Sequence, residues 1–235
     1  NAGVEKFQCN IADPVKHQVI NILPSRNMEN LCKHFLEYPY KERAAVKKIV
    51  MDLSTLFRSV AKTMFPEAKI VADKFHVIRV VINSLENVRK RIQKEFHATK
   101  RKWFKRSRYL LLKPEYKLTD EDKIELARML NSSYDLEKAY VLKERFYEVF
   151  RKQTRTEAKK ELGNWLLLAA DLSLPEFRHC ITTFSNWKTE IANIIDERVS
   201  NGFIEGSNNK IKVLKRISYG VRNFDRFRNR ILYLE

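Results

Sequence analysis

Two separate acids, an acid–imidazole pair and two runs of cations are the residues of this sequence whose types and spacing can do chemistry. Glu205 heads the first pattern, within Asn201-Gly-Phe-Ile-Glu-Gly-Ser-Asn-Asn-Lys-Ile-Lys-Val-Leu-Lys-Arg-Ile. On a helix turning about 100° per residue, Asn208, Asn209, Lys212 and Arg216 fall within about 60° of Glu205, and Ile211, Leu214 and Ile217 point the other way. A carboxylate at the head of a stripe of amides and cations suits a site that binds a divalent cation beside phosphate oxygens. It suits equally a solvated face on which Glu205 pairs with Lys212. Asp52 is the second acid. It ends the run Val-Lys-Lys-Ile-Val-Met, and an acid at the carboxyl end of a strand is a frequent ligand position in α/β folds. Its alternative is a helix cap for the segment that starts near Ser54. Asp73 and His76, three positions apart, can meet on one helical turn as a metal pair or as a structural hydrogen bond.

The cations set the partner. Lys and Arg number 46 against 29 Asp and Glu, a formal charge of +17, which points to a polyanion, nucleic acid first and an anionic membrane surface second. From Arg89 to Arg108 there are ten Lys or Arg and one acid, Glu95, with Phe96, Trp103 and Phe104 interleaved; from Glu205 onward there are eight against three acids. A solvated face usually mixes signs, so these tracts read as phosphate-binding surface, while the aromatics either stack on an unpaired base or pack inside.

Other classes fall away. With 44% hydrophobic and 11% aromatic residues the chain fills a core and is not a disordered basic tail. Five glycines in 235 residues form no Gly-rich phosphate loop of either common type. Cys9, Cys32 and Cys180 are too scattered for a CxxC zinc module or a disulfide framework and fit a reducing cytosol. No apolar run reaches the ~18 residues of a membrane span, and the N-terminus is no signal peptide.

These residues need elements to position them. Short apolar runs at 7–12 and 18–23, separated by Asp13-Pro14, read as a hairpin. Asn27 caps a helix to about Tyr38. Strand 46–51 ending at Asp52, a helix capped at Ser54 and Thr55, and strand 69–72 ending at Asp73 form a βαβ unit in a mixed sheet. From Val77 to about Ser200 the periodicity is helical throughout, including a long helix opened by Pro175. The expected fold class is α/β, with residues 1–80 and 196–235 in one core and an all-α basic insertion at 81–195 between them.

Three blocks resemble the bacterial insertion-sequence transposases of the ISL3 family, in the DDE superfamily. They are Ile49-Val-Met-Asp-Leu-Ser54 with Phe65-Pro66; Ile70-Val-Ala-Asp-Lys-Phe-His-Val77; and Asn201 to Lys212 continuing through Lys215-Arg216, Tyr219-Gly220, Arg222-Asn223-Phe224, Phe227 and Arg230. The resemblance implies a ribonuclease-H-like core in which three carboxylates hold two Mg²⁺ or Mn²⁺ ions for cleavage and transfer of DNA strands. Carried over by position, Asp52 is the second carboxylate and Glu205 the third, both metal ligands. Asp73 and His76 are supporting residues, and Asp73 is the rival for the second role. Asn209, Lys212, Lys215, Arg216 and Arg222, with Arg101, Lys102 and Lys105 of the insertion, hold DNA. The resemblance further implies transposon ends and target DNA as partners, with no membrane, and an active form that is a homodimer or larger, in the bacterial cytoplasm and on the nucleoid when bound. The family's first carboxylate lies on a strand before the hairpin. Asp13, in a turn, does not match it, so the expectation is a chain that begins after that motif, lacks the first strand and is crippled alone. Two rivals remain: a non-catalytic DNA-binding or regulatory protein on the same scaffold, and a helical RNA-binding protein, which leaves the acid-ended strands unexplained.

Overall fold

The computed structural model describes residues 9–196, 202–217 and 223–234. They group into two units, one from residues up to 74 together with those from 202 onward, the other from 75 to 196.

The first unit begins with strands β1 (Cys9–Asp13) and β2 (Gln18–Leu23), an antiparallel hairpin with a register irregularity between Ile11 and Ala12. Asp13 makes the turn: its Oδ1 accepts from the amides of Val15 and Lys16 at 2.8 and 3.0 Å, and these bonds hold its carboxyl below the usual carboxylate range. Helix α1 (Met28–Leu36) starts where Asn27 Oδ1 accepts from the Asn30 amide at 2.8 Å. It stops two residues short of the expected Tyr38, because Pro39 opens a separate helix α2 (Tyr40–Ala45). Strand β3 (Lys48–Met51), helix α3 (Thr55–Met64) and strand β4 (Lys69–Ala72) follow. β3 and β4 pair in parallel, Met51 against Ala72, which the intervening helix permits.

The described strands form two separate two-stranded sheets rather than one mixed sheet. All of β1 is half-buried, and Ile49 and Val50 of β3 are half-buried too, whereas Ile70, Val71 and Ala72 of β4 are buried. The unit is closed by two late helices, Gly202–Ile217 and Phe224–Leu234, which are numbered α12 and α13 in chain order. β2 feeds two apolar clusters. Leu23 joins Leu31, Val60 and Met64 from α1 and α3, while Val19 and Ile22 join Ile211, Phe227 and Ile231 from α12 and α13. Residues far apart in sequence thus meet on one hairpin strand, and Arg228 Nε adds a 2.7 Å bond to Asn21 Oδ1.

The second unit is helical: α4 (Lys74–Ile92, its first residue in the first unit), α5 (Ala98–Arg106), α6 (Arg108–Leu112), α7 (Asp120–Leu130), α8 (Tyr134–Tyr147), α9 (Arg155–Asp171), α10 (Arg178–Asn186) and α11 (Lys188–Ala192). The stretch after Pro175 is not one long helix. A 3₁₀ turn at Pro175–Phe177, a break at the fully packed Trp187 and a second 3₁₀ turn at Asn193–Asp196 divide it. Its core is aromatic: Phe146 stacks on Phe184 at 5.1 Å and meets Trp165 at 5.0 Å, and the Trp165 indole N–H donates to the Leu142 carbonyl at 2.8 Å. No helix among the described residues is long and apolar enough to cross a membrane.

Candidate functional site

Asp52 follows β3 directly, and the parallel register sets it beside Asp73, which follows β4 and donates its amide to the Met51 carbonyl at 2.7 Å. Both acids therefore stand at the carboxyl ends of adjacent parallel strands, where an α/β sheet opens. Their environments differ. Asp73 is 5% exposed. The Asp52 side chain is 36% exposed, yet its Oδ1 is buried with no hydrogen-bond partner among the described residues, while its Oδ2 lies 3.8 Å from Arg26 Nη2.

The capping alternative for Asp52 is taken by another residue. Ser54 Oγ accepts from the Phe57 amide at 3.3 Å and caps α3, and the Asp52 carbonyl receives the Ser54 amide at 2.7 Å. The Asp52 carboxylate is left facing a small cluster of Arg26, Cys9 and the sheet end. Burial pushes the Cys9 thiol up to about 11, with Arg26 opposing and Asp52 reinforcing that shift. An orphaned, buried carboxylate oxygen at a strand end fits a hard cation that takes oxygen ligands. Among the described residues no three or more His, Cys, Asp or Glu side chains cluster tightly enough to hold a metal.

Glu205 lies in α12, with its side chain outside the described residues, as is that of Asn208; Arg222 is outside them altogether. The helix backbone places position 205 on the same side as 209, 212 and 216. Asn209, Lys212, Lys215 and Arg216 are all exposed, and Ser207, Ile211 and Leu214 face the interior. Ile217, expected on the inner face, is 54% exposed. His76 is exposed in the first turn of α4, its ring edge-on to Phe75 at 5.7 Å.

The insertion's basic tract divides into two kinds of cation. Arg89 is 3% exposed and forks onto Glu86 at 2.7 and 3.2 Å, also reaching Gln93. Arg91 bridges Glu176 at 2.6 Å and Asp135 at 2.9 Å, and those bonds raise its pKa. Arg108 lies 3.9 Å from Glu86. These three tie the helices together. Lys90, Lys94, Arg101, Lys102, Lys105 and Arg106 are exposed and make no ion pair among the described residues. The aromatics pack: Phe104 is fully buried against Phe96 at 5.0 Å and Trp103 at 5.6 Å, and the Trp103 indole donates to Glu125. Arg26 is the residue that reading the sequence passed over. Its signal was slight, one cation just before the Asn27 cap, and only the fold brings it to Asp52.

Known proteins share this sequence pattern. Residues 1–231 match a family model described as transposase, of the DDE type named for ISL3. The transposase for insertion sequence element IS1001 of Bordetella parapertussis is 26% identical over 221 residues, covering 92% of this chain and 54% of that protein. The transposase for insertion sequence element IS1557 of Mycobacterium tuberculosis is 28% identical over 206 residues, covering 77% and 46%. The chain thus spans about half the length of the curated relatives it matches. A Lactococcus lactis protein named ATP-dependent protease is 33% identical over 116 residues, 49% of this chain and 35% of that protein. No solved structure matches.

Proposed function

Because the chain belongs to the ISL3 family of DDE transposases, we propose that it carries part of the catalytic core of a DNA transposase, with Asp52 and Glu205 as metal-holding carboxylates. The single observation that carries the reading is the state of Asp52. Its capping role is filled by Ser54, and one of its oxygens is buried without a partner among the described residues, at the mouth of a parallel strand pair. Bound Mg²⁺ or Mn²⁺, two ions in the intact enzyme, supplies activation of a water or a DNA 3′-hydroxyl for in-line attack and stabilisation of the leaving oxygen. Asp52 would hold the metal from the end of β3, and Glu205 from α12, the helix that Ile211 fastens to β2. Asp73 supports Asp52 from the adjacent strand end, and His76 follows three residues later in the chain. Asp13 is not the first acid of such a centre, since its carboxylate is taken up by the hairpin turn.

One strand between β1 and β3, whose residues are largely half-buried, would join the two strand pairs into a ribonuclease-H-like mixed sheet. DNA, as transposon end and target, is held by Asn209, Lys212, Lys215 and Arg216 of α12 and by Arg222, which lies outside the described residues. In the insertion, the set of Lys90, Lys94, Arg101, Lys102, Lys105 and Arg106 binds phosphate. Buried Phe104 offers no stacking platform, which favours duplex backbone over an unpaired base. Assembly on DNA is a homodimer or larger, in the bacterial cytoplasm.

Asp52→Asn and Glu205→Gln, each placed in the intact transposase, test this. Both abolish metal-dependent cleavage of a duplex carrying the element's end and leave binding to that duplex nearly intact. Cleavage at the wild-type rate in either variant removes that residue from the centre. Binding with no metal-dependent cleavage even in the wild type leaves a DNA-binding protein on this scaffold.

A further inference from the structure

The helical insertion holds a cavity of about 390 Å³, a volume within the range of small-ligand sites. It opens at the surface where α7, the last turn of α8 and two 3₁₀ turns, Glu115–Lys117 and Glu148–Arg151, come together. Local sequence builds its rim. The Pro114 carbonyl accepts the Lys117 amide at 3.0 Å, and Thr119 Oγ1 accepts from the Asp122 amide at 3.2 Å to cap α7. Leu118 anchors this corner at 7% exposure and leaves Tyr116 on the rim, 68% exposed. Three carboxylates contribute to the wall: Glu115, Glu144 and Glu148. Glu144 is held in place, since its Oε1 accepts from the Glu115 amide at 3.1 Å and pairs with Lys143 Nζ at 2.5 Å. Lys143, 1% exposed, is itself fixed by the carbonyls of Leu111 and Lys113 at 2.9 and 2.7 Å. The acids do not converge tightly enough to hold a metal. The remaining wall is cationic, from Lys123, Arg145 and Arg151, all exposed. Lys117 Nζ and the Arg151 guanidinium lie 5.7 and 5.8 Å from the Tyr116 ring centre, near the outer limit of such contacts, so neither is pressed onto the ring.

We propose that this cavity takes one unpaired nucleotide of a DNA strand, guanine by preference. The base stacks on Tyr116, the carboxylates read its edge, and Lys123, Arg145 and Arg151 meet the flanking phosphates. This rests on the reading of the chain as one that handles DNA, and is independent of the metal-holding acids. An aromatic ring, fixed carboxylates and cations around one small space match the three parts of a nucleotide: a flat base, its N–H donors and its anionic backbone. Guanine is favoured because its N1–H and N2–H groups lie side by side and suit a carboxylate's two oxygens, whereas the other bases present no such pair of donors. The cavity shares no lining residue with the exposed cations of α4 and α5. Duplex backbone on those helices and an unpaired base here are therefore separate interactions of the same insertion.

The test is fluorescence anisotropy of the full chain with a short oligothymidylate carrying one central guanine, or inosine or thymine in its place, and with a duplex as control. The proteins are wild type, Tyr116→Ala, Tyr116→Phe and the double variant Glu115→Gln/Glu148→Gln. Comparing strands that differ in one base cancels the phosphate binding common to all of them. Wild type prefers guanine to thymine by about tenfold, and inosine, which lacks the N2 amino group, falls to about twofold. Tyr116→Ala weakens binding of the guanine strand by at least about fivefold, the loss of one stacked base. Tyr116→Phe keeps the ring and stays within about twofold of wild type. The double variant binds guanine and inosine strands equally, and duplex binding is unchanged throughout. No guanine preference in the wild type, or a preference that survives Tyr116→Ala, overturns this inference alone while duplex binding stands. Self-association that these variants abolish, with strand binding unchanged, assigns the cavity to a second copy of the chain and overturns it too. No binding of duplex or strand by the wild type overturns the DNA reading and this inference with it. Far-UV circular dichroism confirms the fold, and Glu115→Gln/Glu148→Gln carries the test if Tyr116→Ala does not fold.

Discussion

Asp52→Asn separates a chemical from a structural role because the two predict opposite balances of stability and activity. Little of the fold depends on the Asp52 carboxylate. Ser54 caps α3, so no cap is lost. The ion pair with Arg26 at 3.8 Å, a third exposed on both sides, is worth at most about 1 kcal/mol. Against that, a buried acceptor with no partner costs about 1–3 kcal/mol, and replacing the carboxylate by a neutral amide of the same shape relieves part of it. The two effects oppose each other, and the variant unfolds within about 1 kcal/mol of wild type, a midpoint shift of a few degrees. Cleavage falls on the order of a thousandfold, about 4 kcal/mol of barrier, because an amide oxygen is a poor ligand for a hard dication. The assay pairs urea unfolding of this chain with strand cleavage of an element-end duplex by the intact transposase bearing the same change. A variant destabilised by more than about 3 kcal/mol that still cleaves at the wild-type rate refutes the reasoning, since it makes Asp52 a structural carboxylate.

Ile231→Ala empties a position that is 1% exposed between α13 and β2, and urea unfolding shows a loss of about 2–5 kcal/mol. A loss below about 1 kcal/mol would mean that α13 is not docked there. Changing Arg101, Lys102 and Lys105 together to Ala lowers the log–log salt slope of duplex binding by roughly 0.9 for each phosphate no longer neutralised, about 2–3 in all; an unchanged slope places the phosphates elsewhere. Arg89→Ala does the reverse, leaving the salt slope alone while stability drops about 3–5 kcal/mol, because buried Glu86 loses its fork. Burial pushes the Cys180 thiol up to about 11, with a 3.2 Å approach to Ser84 Oγ as the opposing influence. Its folded pKa lies above the unfolded one, so its contribution to stability is complete below about pH 9.0 and is lost as pH rises through about 11. Alkylation of Cys180 in the folded chain is accordingly slow at about pH 8 and accelerates above about pH 10; fast labelling at the lower pH contradicts the burial.

What could be read from the sequence was local. Asn27, Ser54 and the short apolar runs on either side of Asp13 carry their own signals, since caps, turns and periodicity act within a few residues, and each element begins where they point. The βαβ unit followed from acids placed after two apolar runs with a helix between. What escaped was set by distance. Trp187 breaks a helix because it fills the core, a fact invisible to periodicity. The docking of α12 and α13 on β2 joins residues some two hundred positions apart, and neither end announces the other. Arg26 escaped for the same reason: a single loop cation means nothing until β3 ends beside it.

The basic tract shows most clearly why counting charge is weaker than knowing its partners. Ten cations between Arg89 and Arg108 looked uniform. In the fold, the members on or beside the buried face of α4 or near Glu86 are neutralised by Glu86, Glu176 and Asp135, and these serve the insertion's own packing. The cations on α5 and the outer side of α4 have no acid to meet among the described residues. A polyanion binds where cations lack an internal counter-charge, because only those release counterions rather than breaking an existing pair. The same rule, applied to one acid instead of many bases, is what favours Asp52 over Asp73 in the proposed centre. Asp73 is buried, whereas Asp52 holds one oxygen loosely paired and the other without a hydrogen-bond donor among the described residues, and an incompletely satisfied charge at a strand end is where an added cation gains most.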